Sequence, residues 1–391
     1  MRIGILTFHR PINYGAFLQA YSLSNKLINC FPNSKVEIID YISPKERKNI
    51  FLNILKDIKR AGLVGGLRSL KKNQAFRKSY KILVLSNKKM CTNNLNELYD
   101  YIEANYDCLI LGSDAIFNWK QTGFPTPFIP YKKLKIPVLT YAASVHGMRY
   151  LEEDGQRLKK CSQAFKNISF IGVRDVCSEN FVKYCEPSVN PLHCCDPTLF
   201  INKKTLIEEA GDYKKRIYKK YKISLDEKYI VIMCPDNKLV SELIKKYGSE
   251  YNIIHVFEGD KKDKLFLYDL TPFEWTQVLS KAALVITRFF HGALLSLIHN
   301  TPTFVVDYSN YKDEYESKLR DLMVRRLNLS KLYCDCEQAN SDFFSTVFLK
   351  ETVNDLLNGT YNESIEKGIN DEAESFKTFE VFLTKLVKNK I

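Results

Sequence analysis

The sequence predicts an α/β protein built of two Rossmann-like, doubly wound domains that face each other across a cleft. Three observations carry that expectation. The chain has 391 residues, more than the 250 to 300 at which a single core usually stops growing. Short β-branched apolar runs alternate with helical stretches along its whole length, the pattern of βα units and parallel sheets. A polar, Lys-rich stretch from Lys203 to Lys228 separates two such series.

In the first series the expected strands are Arg2 to Phe8, Lys35 to Asp40, Asp107 to Leu111, Val138 to Ala143 and Ser169 to Val173. The second series offers Tyr229 to Cys234, Asn252 to Phe257, Ala283 to Thr287 and Thr303 to Val306. The domain junction is placed near residue 200, giving domains at 1–200 and 201–350. The segment 351–391, with Phe376, Phe379, Val381, Phe382 and Leu386, reads as a helical tail packing back on the body.

Composition excludes whole classes of protein. With 45% hydrophobic and 26% charged residues the chain is neither disordered nor fibrous. The longest uncharged run, Phe289 to Val306, holds His291, His299, Asn300 and Pro302, which are costly in lipid, so it does not read as a membrane span. Met1 to Phe8 lacks the pattern of a signal peptide, so a cytoplasmic protein is expected, with a peripheral position at the inner face of the cell membrane left open. The eleven Cys are odd in number and scattered, which points to reduced thiols. His193-Cys194-Cys195-Asp196 and Cys334-Asp335-Cys336 lack the ligand spacing of a structural zinc site, and no metal is expected.

The net charge of +13 is local. Lys45 to Lys89 carries fourteen Lys or Arg against Glu46 and Asp57 alone, so the remainder is nearly neutral and a general nucleic-acid groove is disfavoured. Within this insertion Ile50, Phe51, Ile54, Leu55 and Ile58 recur at helical spacing, and Leu67 and Leu70 follow Gly62, Gly65 and Gly66. The pattern predicts two basic amphipathic helices around a glycine turn. They either pack on the protein through the Ile/Leu face or dock on an anionic membrane or a lipid-pyrophosphate substrate.

In doubly wound folds ligands bind beyond the carboxyl ends of strands, so the residues following each run are the site candidates. After the first strand come His9, Asn13, Tyr14 and Gly15, then a helix start whose free N–H groups suit an anion or polar ligand. The spacing is neither GxGxxG nor GxxxxGK[ST], which disfavours a dinucleotide or P-loop site. Ser113 and Asp114 follow the third run, where an N-cap role is the plain alternative. Ser144 follows the fourth. Arg174 follows the fifth and can grip carboxylate or phosphate bidentately, or pair structurally with Asp175 or Asp196. After Ala283 to Thr287 come Arg288, His291 and Gly292: a His suited to proton donation at a helix start, and a Gly allowing close backbone approach.

Taken in order, INYGAFLQAYSL, LILGSDAIFN, LTYAASVHG, IGVRD, CDPTLF and VITRFFHGALLSLIHNTPTFVV resemble the polysaccharide pyruvyl transferase family over residues 1 to 330. The resemblance implies a GT-B-like arrangement. It also implies transfer of the carbons of phosphoenolpyruvate to sugar hydroxyls as a ketal with release of phosphate, phosphoenolpyruvate being a donor substrate and no cofactor being needed. By the same resemblance Arg174 binds the donor and His291 binds it and does acid chemistry, while Asp114 and Asp196 are recurrent motif acids. Arg288-Phe289 stands where the family usually has Asp-Ser, and Ala115 where Gln is common. Arg288 could add an anion contact, and Lys318 stands near a position where a basic residue is usual. The implied acceptor is a cell-surface polysaccharide or its lipid-pyrophosphate-linked precursor, and the base that deprotonates it is sought among Asp114, Asp196 and His9. Two competing readings are a GT-B glycosyltransferase using a nucleotide sugar and an inactive scaffold of the same pathway.

Overall fold

The computed structural model describes residues 1–235, 237–257, 265–309, 315–335 and 351–388. Two six-stranded sheets, each parallel throughout, form its centre. The first is made of β1 (Arg2–Leu6), β2 (Lys35–Ile38), β3 (Cys108–Leu111), β4 (Val138–Ala143), β5 (Phe170–Val173) and β6 (Leu192–His193) in the order β2-β1-β3-β4-β5-β6. The second comprises β7 (Tyr229–Met233), β8 (Asn252–Val256), β9 (Phe266–Leu267), β10 (Leu284–Thr287), β11 (Thr303–Asp307) and β12 (Tyr333–Asp335) in the order β12-β11-β10-β7-β8-β9. Strands covered by helices on both faces should be apolar throughout rather than alternating. Accordingly β3, β4, β5, β7, β10 and β11 are buried at every residue.

In each sheet the strand order reverses at one place, between β1 and β3 in the first and between β7 and β10 in the second. Ligands of doubly wound sheets bind outside the carboxyl ends at such points. The segments that carry Asp114 and His291 leave β3 and β10 there.

Helix α1 (Tyr14–Cys30) begins at Asn13, whose side-chain oxygen accepts from the Ala16 N–H at 3.2 Å and so satisfies one orphan donor of the first turn. It joins the two sheets. The Tyr14 ring packs on Phe257 and Trp275 of the second unit, and its hydroxyl donates to the Leu270 carbonyl. Phe17 and Tyr21 meet Phe273. At the other end of the chain, the helix Phe376–Lys388 returns to the first sheet, where Phe379 packs on Tyr141 and Phe170.

The basic insertion is helical from Pro44 to Lys78 (α2), opened by a Ser43/Glu46 capping box. It is not straight. Gly62 has φ +63°, and a Cβ on Gly66 would lie 2.3 Å from the Ile58 side chain. Eight residues of straight helix span about 12 Å, so the chain must double back at Gly62. The two expected arms are therefore present. Of the two alternatives for them, packing through the Ile/Leu face is partial: Ile50 and Ile58 are half-buried while Phe51, Leu55, Leu67 and Leu70 are exposed, and the root is held by Phe76 against Tyr14 and Phe17. The side chain of Ile54, part of the expected apolar face, lies outside the described residues, as does Cys336.

Candidate active site

A buried guanidinium is the centre of the site. Arg174, 3% exposed, leaves β5 and donates through Nη1 to Asp196 Oδ2 at 2.9 Å. Its Nη2 lies 3.7 Å from Asp114 and its Nε 3.9 Å from Asp175. Nε and Nη2 have no hydrogen-bond partner among the described residues, which leaves two donors of a planar cation facing Asp175 and Asp114 only at longer range. Three carboxylates around one arginine leave the cluster negative until further cations join. Lys318 supplies one, with its Nζ 5.4 Å from the Phe290 ring, while Arg174 stands over the same ring at 4.6 Å.

Asp196 is fully engaged. Its Oδ1 accepts from the Thr198 N–H at 3.0 Å and from the Thr198 hydroxyl at 2.7 Å, and Gln19 donates to Oδ2 at 2.5 Å. His291 Nε2 stands 3.6 Å from the same Oδ2. Burial alone would raise this carboxyl, yet His291 and Arg174 together hold it well below the usual carboxylate range. Asp114 behaves alike: against the effect of burial, Arg174, Lys318 and His291 keep it ionised.

The His291 imidazole is clamped across the cleft. A Cβ on Gly15 would fall 2.0 Å from His291 Nδ1, so only a glycine at the start of α1 leaves room for the ring. Gly292 carries a packing constraint of its own. Its missing Cβ would meet Thr287 Oγ1 at 2.6 Å and Met233 Cε at 2.8 Å, so packing against the strands requires a glycine here.

Burial, followed by repulsion from Arg174, pushes the Lys318 ammonium down to about 8, with Asp114, Asp175 and Asp196 opposing. Burial and Lys318 push His146 down to about 4. Two cavities flank these groups. One, about 970 Å³, lies between α2 and the β1 loop and is lined by Phe8, Asn13, Asn53, Lys56, Lys72 and Asp114 among others. The second, about 530 Å³, is lined by His146, Arg149, Asp175, Arg288, Phe289 and Lys318 among others.

The sequence-selected residues thus divide. Asp114, Arg174, Asp196, His291 and Lys318 come together, and Gly15 and Arg288 border them. Asn13 caps α1 and lines the larger cavity. Ser113 is wholly buried, and its hydroxyl has no hydrogen-bond partner among the described residues. Three residues expected to meet substrate are otherwise committed. His9 is buried between the Thr7 carbonyl at 3.2 Å and Asp40 at 3.3 Å, with Arg10 on the same carboxylate, which removes it from the candidate bases. The Ser144 hydroxyl donates to Asp175 at 2.6 Å, and Tyr14 belongs to the joint between the sheets. The sequence by itself assigns no role to Gln19, Phe290 or His146. Their only signal was membership of the quoted motifs.

Two parallel sheets whose strands' carboxyl ends converge on one cluster, closed by a terminal helix that returns to the first sheet, define a GT-B-type protein. Solved structures agree on the fold. A UDP-GlcNAc 2-epimerase from Neisseria meningitidis bound to UDP-GlcNAc superposes with a TM-score of 0.56 at 11% identity, covering 98% of this chain and 100% of that one. MnaA of S. aureus with UDP gives 0.52 at 10% identity, covering 100% and 97%. No curated protein gives a significant sequence match. The chain belongs to the polysaccharide pyruvyl transferase family, whose model matches residues 13–310.

Proposed function

We propose that this protein transfers the pyruvyl carbons of phosphoenolpyruvate to hydroxyls of a cell-surface polysaccharide or its lipid-linked precursor. The product is a pyruvate ketal, and phosphate is released. The observation that carries the reading is the convergence of Arg174, Asp196, Asp114 and His291, each from a family motif, in a chain matched by that family over residues 13–310.

The chemistry needs an anion site, a proton donor and a hydroxyl acceptor. Arg174, through Nε and Nη2, with Lys318 and Arg288 nearby, binds carboxylate and phosphate. His291, oriented by Asp196, supplies the proton that the methylene carbon gains or acts as the proton donor on the phosphate side, and an oxocarbenium-like centre develops at the neighbouring carbon. An acceptor hydroxyl adds there and gives up its proton. A second hydroxyl of the same sugar then displaces phosphate, the leaving phosphate taking up the second proton, so one enol phosphate and one diol yield one ketal and one phosphate. Asp114 borders the larger cavity and is held ionised, which suits it to accept the acceptor's hydroxyl hydrogen. Asp196 is occupied by four protein groups and His9 by two, so Asp114 is the base of choice. Preorganised charge in a water-poor cluster is the main source of acceleration in this reading.

The test is to incubate purified protein with phosphoenolpyruvate and a glycan acceptor, or with nucleotide sugars, and to follow phosphate against nucleoside diphosphate. Acceptor-dependent phosphate release is expected. Nucleoside diphosphate release assigns the protein to glycosyl transfer, and neither product under either condition assigns it a scaffold role.

A further inference from the structure

The hairpin of α2 exposes apolar side chains far out of proportion to its length. Of the fourteen large hydrophobic residues exposed among the described ones, Phe51, Leu55, Leu63, Val64, Leu67 and Leu70 all lie on it. Such clustering marks an interaction surface. Leu63 is 79% and Val64 61% exposed, and both follow directly on the Gly62 turn, so they form the tip. The root is fixed to the body: Phe76 is buried, Arg68 stands 5.2 Å over the Tyr268 ring, and Lys72 stands 4.9 Å over the Phe257 ring. An anchored root with an apolar tip is built to present that tip.

Charge decides what the tip meets. Lys56, Lys59 and Lys71 are exposed on the arms behind it, and the segment from 45 to 89 has fourteen basic residues against two acidic ones. A second copy of this chain would bring the same positive charge to the contact. An anionic lipid surface complements both features, since apolar side chains enter the acyl boundary while Lys side chains reach the headgroup phosphates. The inner wall of the same hairpin, with Asn49, Asn53, Lys56 and Lys72, lines the cavity that ends at Asp114.

We propose that the tip formed by Leu63, Val64 and Leu67 docks the protein on an anionic bilayer, so that the cavity ending at Asp114 opens beside the membrane. The cavity would then receive a glycan carried on a lipid, and this last clause rests on the pyruvyl-transfer reading. Docking itself does not.

The full-length protein is therefore sedimented with vesicles of phosphatidylglycerol and phosphatidylcholine, or of phosphatidylcholine alone, without donor or acceptor. Binding to the anionic vesicles only, weakening with salt, is expected. Leu63→Asp with Val64→Asp should lower the partition at least tenfold, and Lys59→Glu with Lys71→Glu should do the same. The first pair should keep the wild-type melting curve and phosphate release with a short soluble acceptor. Absence of binding at low salt, equal binding to both vesicle types, or unchanged binding by the variants overturns the proposal. So does a concentration-dependent dimer that Leu63→Asp abolishes, which would give the tip to a second copy. If vesicles bind but phosphoenolpyruvate is never consumed, the catalytic reading fails and docking stands.

Discussion

A methyl group on Gly15 would occupy the place of the His291 ring. At the scale of single residues this constraint ties the start of α1 in one unit to the proposed proton donor in the other. Gly15→Ala must displace the imidazole from Asp196 or open the joint. A displacement of about 1 Å at a reacting group costs roughly 10²-fold in rate, so turnover should fall by about that factor while circular dichroism stays unchanged. Normal turnover in Gly15→Ala would show that His291 need not hold this position. The second prediction concerns Arg174→Lys, which keeps the charge but loses the planar fork. Donor affinity should drop steeply, and equal affinity would leave Arg174 a purely structural partner of Asp196. A third follows from Lys318. Its ammonium, lowered to about 8 by burial and Arg174, is protonated below that value and loses its charge as pH rises through it. The KM for phosphoenolpyruvate should therefore climb above about pH 8, and Lys318→Arg should move the climb upward because guanidinium stays charged. Coincident profiles for the two proteins would exclude Lys318 from donor binding.

At the scale of elements, nine strands were legible as β-branched runs and each is present within two residues of its expected limits. Three were not: Leu192–His193, Phe266–Leu267 and Tyr333–Asp335. Runs of two or three residues carry no periodicity to read, and each pairs at a sheet edge where tertiary context decides. The hairpin of α2 shows the reverse case. Its helices and turn follow from local spacing and Gly62, but spacing cannot say whether an apolar face is covered. His9 shows why site roles are harder still, since the Asp40 that claims it stands thirty-one positions away in sequence. That contact gives the loop after β1 a testable electrostatic anchor. Burial alone would raise Asp40, but His9 and Arg10 hold it at about 2, down from 3.8. The folded state thus favours the ionised form, and the stabilisation is present above pH 3.8 and lost as pH falls towards 2. The shift corresponds to about 2 kcal/mol. Denaturant titrations of Asp40→Asn should show a loss of that order at pH 7 that shrinks at pH 3, and a pH-independent difference would contradict the electrostatic account.

Over the whole molecule, two separately wound sheets share one continuous apolar cluster, which runs from Ile3 and Phe17 in the first to Ile230 and Val285 in the second. Domain interfaces this apolar should unfold together rather than as independent units. Tyr14 is the place to test the joint, because its ring touches Phe76 of the hairpin root and Phe257 and Trp275 of the second unit while its hydroxyl reaches the Leu270 carbonyl. By sequence Tyr14 falls among the expected ligand contacts, since an aromatic next to a loop glycine carries no local sign of which neighbour it will meet. Tyr14→Phe removes only the hydrogen bond and should cost about 1 kcal/mol, leaving one transition on heating. Tyr14→Ala removes the ring, with an expected loss of about 3 to 5 kcal/mol concentrated at the interface. Its calorimetric trace should broaden or split as the sheets uncouple, and turnover should fall because Gly15 then no longer holds its register with His291. If Tyr14→Ala unfolds in a single sharp transition with full activity, the two units are held together elsewhere and the clamp on His291 does not depend on this joint.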